Sequence, residues 1–276
     1  MLAPDHAPDQ RVLPHDPRFL AGRIRVHKAF RSRFLGPTRD VLVYVPCGYD
    51  EETERRYPVL YLHDGQNLFD GATSFVPGQD WRVGQTTQEL IAARKIEPVI
   101  IVGIYNTGHE RADEYTPTYD ARYRIGGKAD LYGRLIAEEL KPFIDASYRT
   151  RPDAESTGLG GSSLGGLVSL YLGLRYSQVF SRLAVLSPSV WWGDRMILGE
   201  VGALGQKPNT RVWLDIGTSE GEPALHNTRF LRDALAGKGW RLGEDLSYFE
   251  DEGAGHNELA WAARVAPMLK YLFPPR

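Results

Sequence analysis

Gly160-Gly161-Ser162-Ser163-Leu164-Gly165-Gly166 is the stretch whose reading decides the fold. Inside it, Gly161-x-Ser163-x-Gly165 sets a serine between glycines two places before and two places after. A sharp strand-to-helix turn demands that spacing, because a Cβ at either flank would crowd the turn and push the serine off its exposed tip. A small and apolar run (156–161) leads into the turn. Leu164 opens an apolar helical run containing LVSLYLGL. Strand, turn and helix in that order make Ser163 a candidate nucleophile.

The pattern occurs twice. Gly217-Thr218-Ser219-Glu220-Gly221 also matches, and it too follows an apolar run and precedes a helical one. Three arguments favour Ser163. Gly160 and Gly166 extend the small-residue run around it. Glu220 beside Ser219 would put a carboxylate where an oxyanion has to be stabilised, which is repulsive in a low-dielectric site. The chain order serine, acid, histidine leaves room after Ser163 for an acid on one later strand and a histidine on the next, but not after Ser219.

Working outward, apolar runs suited to strands lie at about 22–31, 40–46, 58–63, 98–104, 156–161, 182–187, 211–216 and 245–250. Helical patterns lie at about 82–95, 129–146, 164–176, 223–237 and 257–272. The runs 58–63 and 98–104 are almost wholly apolar, as expected of strands covered by helices on both faces. Alternation of this kind predicts an α/β fold with a mostly parallel central sheet of about eight strands flanked by helices. Residues 1–21, rich in proline, read as an extended N-terminal arm, and 22–276 as a single domain. Residues 105–128 (YNTGHERADEYTPTYDARYRIGGK) show neither period, and a loop of that length inside a compact domain points to function.

The bulk properties exclude several classes. The 276 residues are 42% hydrophobic and 25% charged, ordinary for a globular chain with a sizeable core. A formal charge of −2 gives no electrostatic footprint for nucleic acid. No window approaches the roughly 20 apolar residues of a membrane span. The N-terminus lacks a basic segment followed by an apolar one, so a cytoplasmic location is expected. Cys47 is alone, which rules out an intrachain disulfide and reads as a buried thiol at a strand end. His63-Asp64 is the one adjacent pair that hints at a metal, and no other spacing supports it, so neither metal nor cofactor is expected.

A serine hydroxyl needs a base, and histidine is the usual one. Of seven histidines, only His226 and His256 follow Ser163. His226 sits inside a helical pattern. His256 lies in the loop Asp251-Glu252-Gly253-Ala254-Gly255-His256-Asn257, between the last strand and the last helix, and is the choice. The acid that orients the imidazole should follow the strand 211–216. Glu220 is preferred, Glu222 is the runner-up, and Asp215 is third because it lies within the strand. Two backbone N–H groups should hold the oxyanion: that of Leu164, and that of Gln66 in the loop after strand 58–63, where Gly65 would permit an unusual backbone angle.

With these residues assembled, about residues 22–273 resemble the Putative esterase family of the α/β-hydrolase superfamily. That group takes in esterase D, enterobactin-type siderophore esterases, feruloyl and acetyl-xylan esterases, and the antigen 85 mycolyltransferases. The matching segments are VLVYVPCGYD, PVLYLHDGQNLFD, IIVGIYN, EYTP, GGSSLGG, LDIGTSEG and GAGHNELAW. The resemblance implies a three-layer α/β-hydrolase fold, with Ser163 as nucleophile, His256 as base, Glu220 as acid and Gln66, after an Asp-Gly pair, as second oxyanion donor. It implies a serine carboxylic-ester hydrolase acting on a small-molecule or carbohydrate-linked ester of the small-acyl, acetyl-xylan or feruloyl type. A siderophore lactone esterase or an acyltransferase is the alternative, and a non-enzymatic binding protein a remoter one. Trp191, Arg111 and Tyr115 are read as pocket residues: aromatics suit a planar acyl group or a sugar face, and arginines suit a carboxylate.

Overall fold

The computed structural model describes residues 9–11 and 22–275. Its strands are β1 (Asp9–Arg11), β2 (Arg23–Phe30), β3 (Arg39–Val45), β4 (Val59–His63), β5 (Ile100–Ile104), β6 (Tyr119–Asp120), β7 (Ile125–Gly126), β8 (Thr157–Ser162), β9 (Arg182–Leu186), β10 (Arg211–Gly217) and β11 (Leu246–Asp251). The helices are α1 (Val83–Ala92), α2 (Arg111–Tyr115), α3 (Ala129–Arg134), α4 (Lys141–Ser147), α5 (Leu164–Arg175), α6 (Trp192–Ala203), α7 (Glu222–Lys238) and α8 (Glu258–Leu272).

A nine-stranded sheet runs in the order β1-β2-β3-β5-β4-β8-β9-β10-β11. From β5 through β11 neighbouring strands are parallel, and β1, β2 and β3 join antiparallel at one edge. Every residue of β4 and β5 is buried, because helices cover both faces there. Side chains alternate between two cores. Val41, Val43 and Val45 of β3 join Tyr61, Val102 and Leu159 on the face covered by α3 to α7. Leu42 and Tyr44 join Leu60, Leu62 and Ile101 on the face covered by α1 and α8. The result is three layers with the sheet in the middle.

Every run expected to be a strand is one, within about two residues at each end. The arm supplies the extra strand β1, paired with β2; the rest of residues 1–21 lies outside the described residues. The helical run 129–146 appears as α3 and α4 joined by a π-helical segment, Leu135–Leu140. Three features differ from expectation. Helix α6 has no counterpart in the sequence reading, and its first turn carries left-handed backbone at Gly193, Asp194 and Arg195. Residues 105–128 are not structureless: they hold a 3-10 turn (Gly108–Glu110), α2 and the β6–β7 hairpin. Charge rather than apolar periodicity fixes α2, through a fully buried fork between Arg39 and Glu114 at 2.9 Å for both bonds. Cys47 is partly exposed rather than buried.

Candidate active site

Ser163 sits between β8 and α5 with φ 59° and ψ −122°, a region of backbone space that costs a non-glycine residue roughly 1–3 kcal/mol. Its N–H donates to Leu186 O at 3.1 Å, and its carbonyl accepts the first helical bond from Leu167 N at 3.1 Å. The tightest glycines of the run lie outside the five-residue pattern: a Cβ on Gly160 would stand 2.5 Å from Ala184 Cβ, which explains that glycine within the sheet, and Gly166 is the tight one on the helix side. A Cβ on Gly166 would stand 2.7 Å from Leu186 O, whereas one on Gly165 would meet nothing closer than Asp64 Oδ2 at 3.4 Å. The turn is therefore tight because α5 presses on β9, more than because of the +2 glycine itself.

The structure brings Ser163, His256 and Glu220 into one hydrogen-bonded chain. His256 Nε2 lies 3.0 Å from Ser163 Oγ, and His256 Nδ1 lies 2.6 Å from Glu220 Oε2. The imidazole is 44% exposed and the Glu220 side chain is buried. Burial alone would push the Glu220 carboxyl up. Hydrogen bonds from His256, from Ser187 Oγ (2.6 Å) and from Gly217 N (2.8 Å) outweigh it and hold the group below its ordinary value.

The second G-x-S-x-G segment is the turn that carries this acid. Ser219 is not among the residues with positive φ, and its N–H donates to Ala254 O at 3.0 Å. Thr218 N donates to Asp251 O (3.0 Å) and Gly253 N to Thr218 Oγ1 (2.8 Å), so the acid loop and the histidine loop are laced together. A Cβ on Gly217 would stand 2.2 Å from Ala254 O, which explains the glycine. Directly after His256, Asn257 caps α8 by accepting Ala260 N at 3.0 Å. Glu222, the runner-up acid, is 83% exposed, with only His226 Nδ1 near it at 4.0 Å. Asp215 lies buried beneath the site, bound to Arg264 Nη1 (2.6 Å) and Trp213 Nε1 (2.6 Å).

On the other side of Ser163, β4 ends at His63 and the chain turns through Asp64 into a 3-10 turn, Gly65–Asn67. The left-handed residue is Asp64 (φ 56°), not Gly65. Gly65 is needed instead for close approach, since its Cβ would lie 2.6 Å from the Gly103 carbonyl carbon. Gln66 is held at two points, its Oε1 accepting Asn106 N (3.3 Å) and its carbonyl accepting Thr73 Oγ1 (2.7 Å). Leu164 is the first residue of α5, where helical N–H groups have no partner within the helix. Asp64 accepts from Arg111 Nε and Nη2 (2.7 and 2.8 Å) and from Asn106 Nδ2 (2.7 Å). Burial would raise its carboxyl, but the Arg111 guanidinium and these bonds hold it low. His63 is wholly buried with Nδ1 2.9 Å from Tyr132 Oη, and burial pushes its imidazole down to about 3. No group of three or more His, Cys, Asp or Glu among the described residues is placed to hold a metal ion. No helix among them is long and apolar enough to cross a membrane.

The three pocket residues separate. Trp191 is 53% exposed and stands two residues from Ser189, whose Oγ is 3.3 Å from Ser163 Oγ. Arg111 is occupied by Asp64, with its guanidinium over the Tyr115 ring at 5.0 Å. Tyr115 is fully buried and its hydroxyl accepts Asp64 N at 3.2 Å, so it braces the turn that leads to Gln66. Sequence reasoning missed Ser187, Trp261 and Arg264, which surround Glu220. One signal was legible: Arg264 falls on the apolar stripe of the last helix, beside Trp261, Val265 and Met268, where a charge must have a buried partner.

The model of the Putative esterase family matches residues 32–272. Among curated proteins, the chain is 26% identical over 249 residues to an endo-1,4-beta-xylanase/feruloyl esterase of Xylanibacter ruminicola, covering 88% of this chain and 30% of that one. It is 30% identical over 257 residues to the iron(III) enterobactin esterase of Escherichia coli O6:H1, covering 89% of this chain and 56% of that one. Among solved structures, an IroE-like serine hydrolase from Shewanella oneidensis superposes with a TM-score of 0.74 at 24% identity, covering 91% of this chain and 80% of that one. That likeness shows the α/β-hydrolase-type fold, the parallel sheet with helices on both faces. The chain belongs to the Putative esterase family and is a carboxylic ester hydrolase.

Proposed function

We propose that the protein is a serine esterase working through an acyl-enzyme on Ser163. The observation that carries this reading is the unbroken chain Glu220 Oε2–His256–Ser163 Oγ (2.6 and 3.0 Å), ending on a serine held in strained backbone. Glu220 accepts a hydrogen bond from Nδ1–H, which keeps the proton on Nδ1 and leaves Nε2 free to act as base. Ser163 attacks the ester carbonyl as His256 takes its proton. The N–H groups of Leu164 and Gln66 receive the oxyanion, an arrangement in which each donor contributes about 3 kcal/mol. His256 then protonates the leaving alcohol, and water frees the acyl group by the same route.

For substrate, a small-acyl, acetyl-xylan or feruloyl-type ester is favoured by the likeness to the xylanase/feruloyl esterase and by exposed Trp191, whose face suits a planar acyl group or a sugar. A siderophore lactone is the second reading, favoured by the likeness to the enterobactin esterase. The test is hydrolysis of a p-nitrophenyl ester chain-length series beside acetyl-xylan, methyl ferulate and a catecholate lactone. Ser163→Ala should lose at least about 10⁴-fold in kcat and Ser219→Ala little. Glu220→Gln should lose about 10³- to 10⁴-fold, against near-native rates in Glu222→Gln. Full activity in Ser163→Ala would refute the mechanism, and turnover of the lactone alone would reverse the order of substrates.

A further inference from the structure

Ser187 follows β9, in a stretch that no motif marks. Its backbone is left-handed (φ 40°), a conformation that costs a residue with a Cβ. Two bonds from its N–H to Asp215 fix the residue there, one to the main-chain carbonyl (3.0 Å) and one to the side chain (3.1 Å). The buried hydroxyl lies 2.6 Å from Glu220 Oε1 and 3.0 Å from Trp261 Nε1. An indole N–H can only donate and an ionised carboxylate can only accept. The Ser187 hydroxyl therefore accepts from Trp261 and has one place to send its own proton, Glu220.

The two oxygens of Glu220 divide their work. Oε1 takes Ser187 Oγ, Gly217 N at 2.8 Å and, more distantly, Arg264 Nη2 at 3.5 Å. Oε2 takes His256 Nδ1 at 2.6 Å. Donors on one oxygen fix the carboxylate plane, and the other oxygen is presented to the imidazole. The charged groups around it come from three elements: Arg264 on α8, Asp215 on β10 at 2.6 Å from that guanidinium, and Asp251 on β11 at 3.6 Å from it. Trp261 also stands edge-on to the His256 ring, with centroids 4.9 Å apart and planes at 83°, so one indole touches both the base and the hydroxyl that holds the acid.

We propose that Ser187 is a positioning residue for the acid of the triad, its hydroxyl proton directed onto Glu220 by Trp261. This rests on the reading of Ser163, His256 and Glu220 given above. A merely structural serine at φ 40° would be replaced by glycine with relief of strain and no change in turnover. A positioning serine would not, because only the hydroxyl supplies the proton.

The experiment is a double-mutant cycle with Ser187→Ala, Ser187→Gly, Glu220→Ala and Ser187→Ala/Glu220→Ala, reading kcat and KM on p-nitrophenyl acetate together with the thermal midpoint. Ser187→Ala and Ser187→Gly should each lose about tenfold or more in kcat with KM unchanged, the scale of one hydrogen bond to a charged group. In the Glu220→Ala background, Ser187→Ala should cost nothing further, since the acceptor has gone. Should the alanine variant fail to fold, the glycine variant carries the measurement. Native kcat in Ser187→Gly, or an equal loss with and without Glu220, overturns the proposal while leaving the triad intact. Native kcat in Glu220→Ala overturns the triad reading and this proposal with it.

Discussion

Asp64 and Glu220 are both buried carboxylates held below their ordinary pKa, but by different partners. Glu220 is held mainly by neutral donors and a histidine, which suits a group that must respond to charge on the imidazole. Asp64 is forked by a guanidinium and braces the loop that carries Gln66. Arg111 is thus a strut for Asp64. Arg111→Ala leaves Asp64 buried with no counter-charge and should cost about 3 kcal/mol of stability by denaturant titration, with a fall in kcat that is the same for neutral and carboxylate-bearing esters. Arg111→Lys keeps the charge without the planar fork and should recover only part of both losses. A selective rise in KM for carboxylate esters would show that Arg111 reads substrate after all.

At the scale of the element, α5 and β9 meet at Gly166, and that contact holds the elbow shut. Gly166→Ala should lose about 1–3 kcal/mol in thermal or denaturant unfolding, because its new methyl would sit 2.7 Å from the Leu186 carbonyl. Gly165→Ala, whose methyl would meet Asp64 Oδ2 at 3.4 Å in ordinary van der Waals contact, should unfold much as the native chain does. Strands such as β4 and β5 were legible in the sequence because burial on both faces leaves an unbroken apolar run. Helices α5, α7 and α8 were legible through their apolar patterns. Helix α6 was not, since Trp191-Trp192-Gly193-Asp194-Arg195 enters it through left-handed backbone, which no periodicity announces. Segment 105–128 hid its order because Arg39–Glu114 and Asp64–Arg111 hold it, and ion pairs between residues 47 and 75 positions apart leave no local pattern.

Across the whole molecule, the site follows the sheet. The ends of β4, β8, β9, β10 and β11, in that spatial order, carry Gln66, Ser163, Ser187, Glu220 and His256. Chain order therefore sufficed to single out Ser163, Glu220 and His256, which the structure brings into one hydrogen-bonded chain, whereas Ser187, Trp261 and Arg264 become neighbours of Glu220 only once β9, β10 and α8 are assembled. At the end of β4, His63 couples the fold to pH. An unfolded chain protonates this histidine below about 6.5, and the buried ring resists until about 3. The unfolded state then binds more protons throughout that window. Stability present above pH 6.5 is lost as pH falls through it, by at most about 1.4 kcal/mol per pH unit from this group. His27, also lowered by burial, acts in the same direction. His63→Gln should flatten the dependence of unfolding free energy between pH 6 and 4, and an unchanged slope would remove His63 from the account. The strand order also gives the site a handedness. In the proposed mechanism, with the Gln66 loop after β4 on one flank of Ser163 and His256 on the other, a planar ester would be approached on only one of its two faces. The tetrahedral carbon of that proposed step would be born with a single configuration, written into the molecule by the sequence of strands rather than by any one side chain.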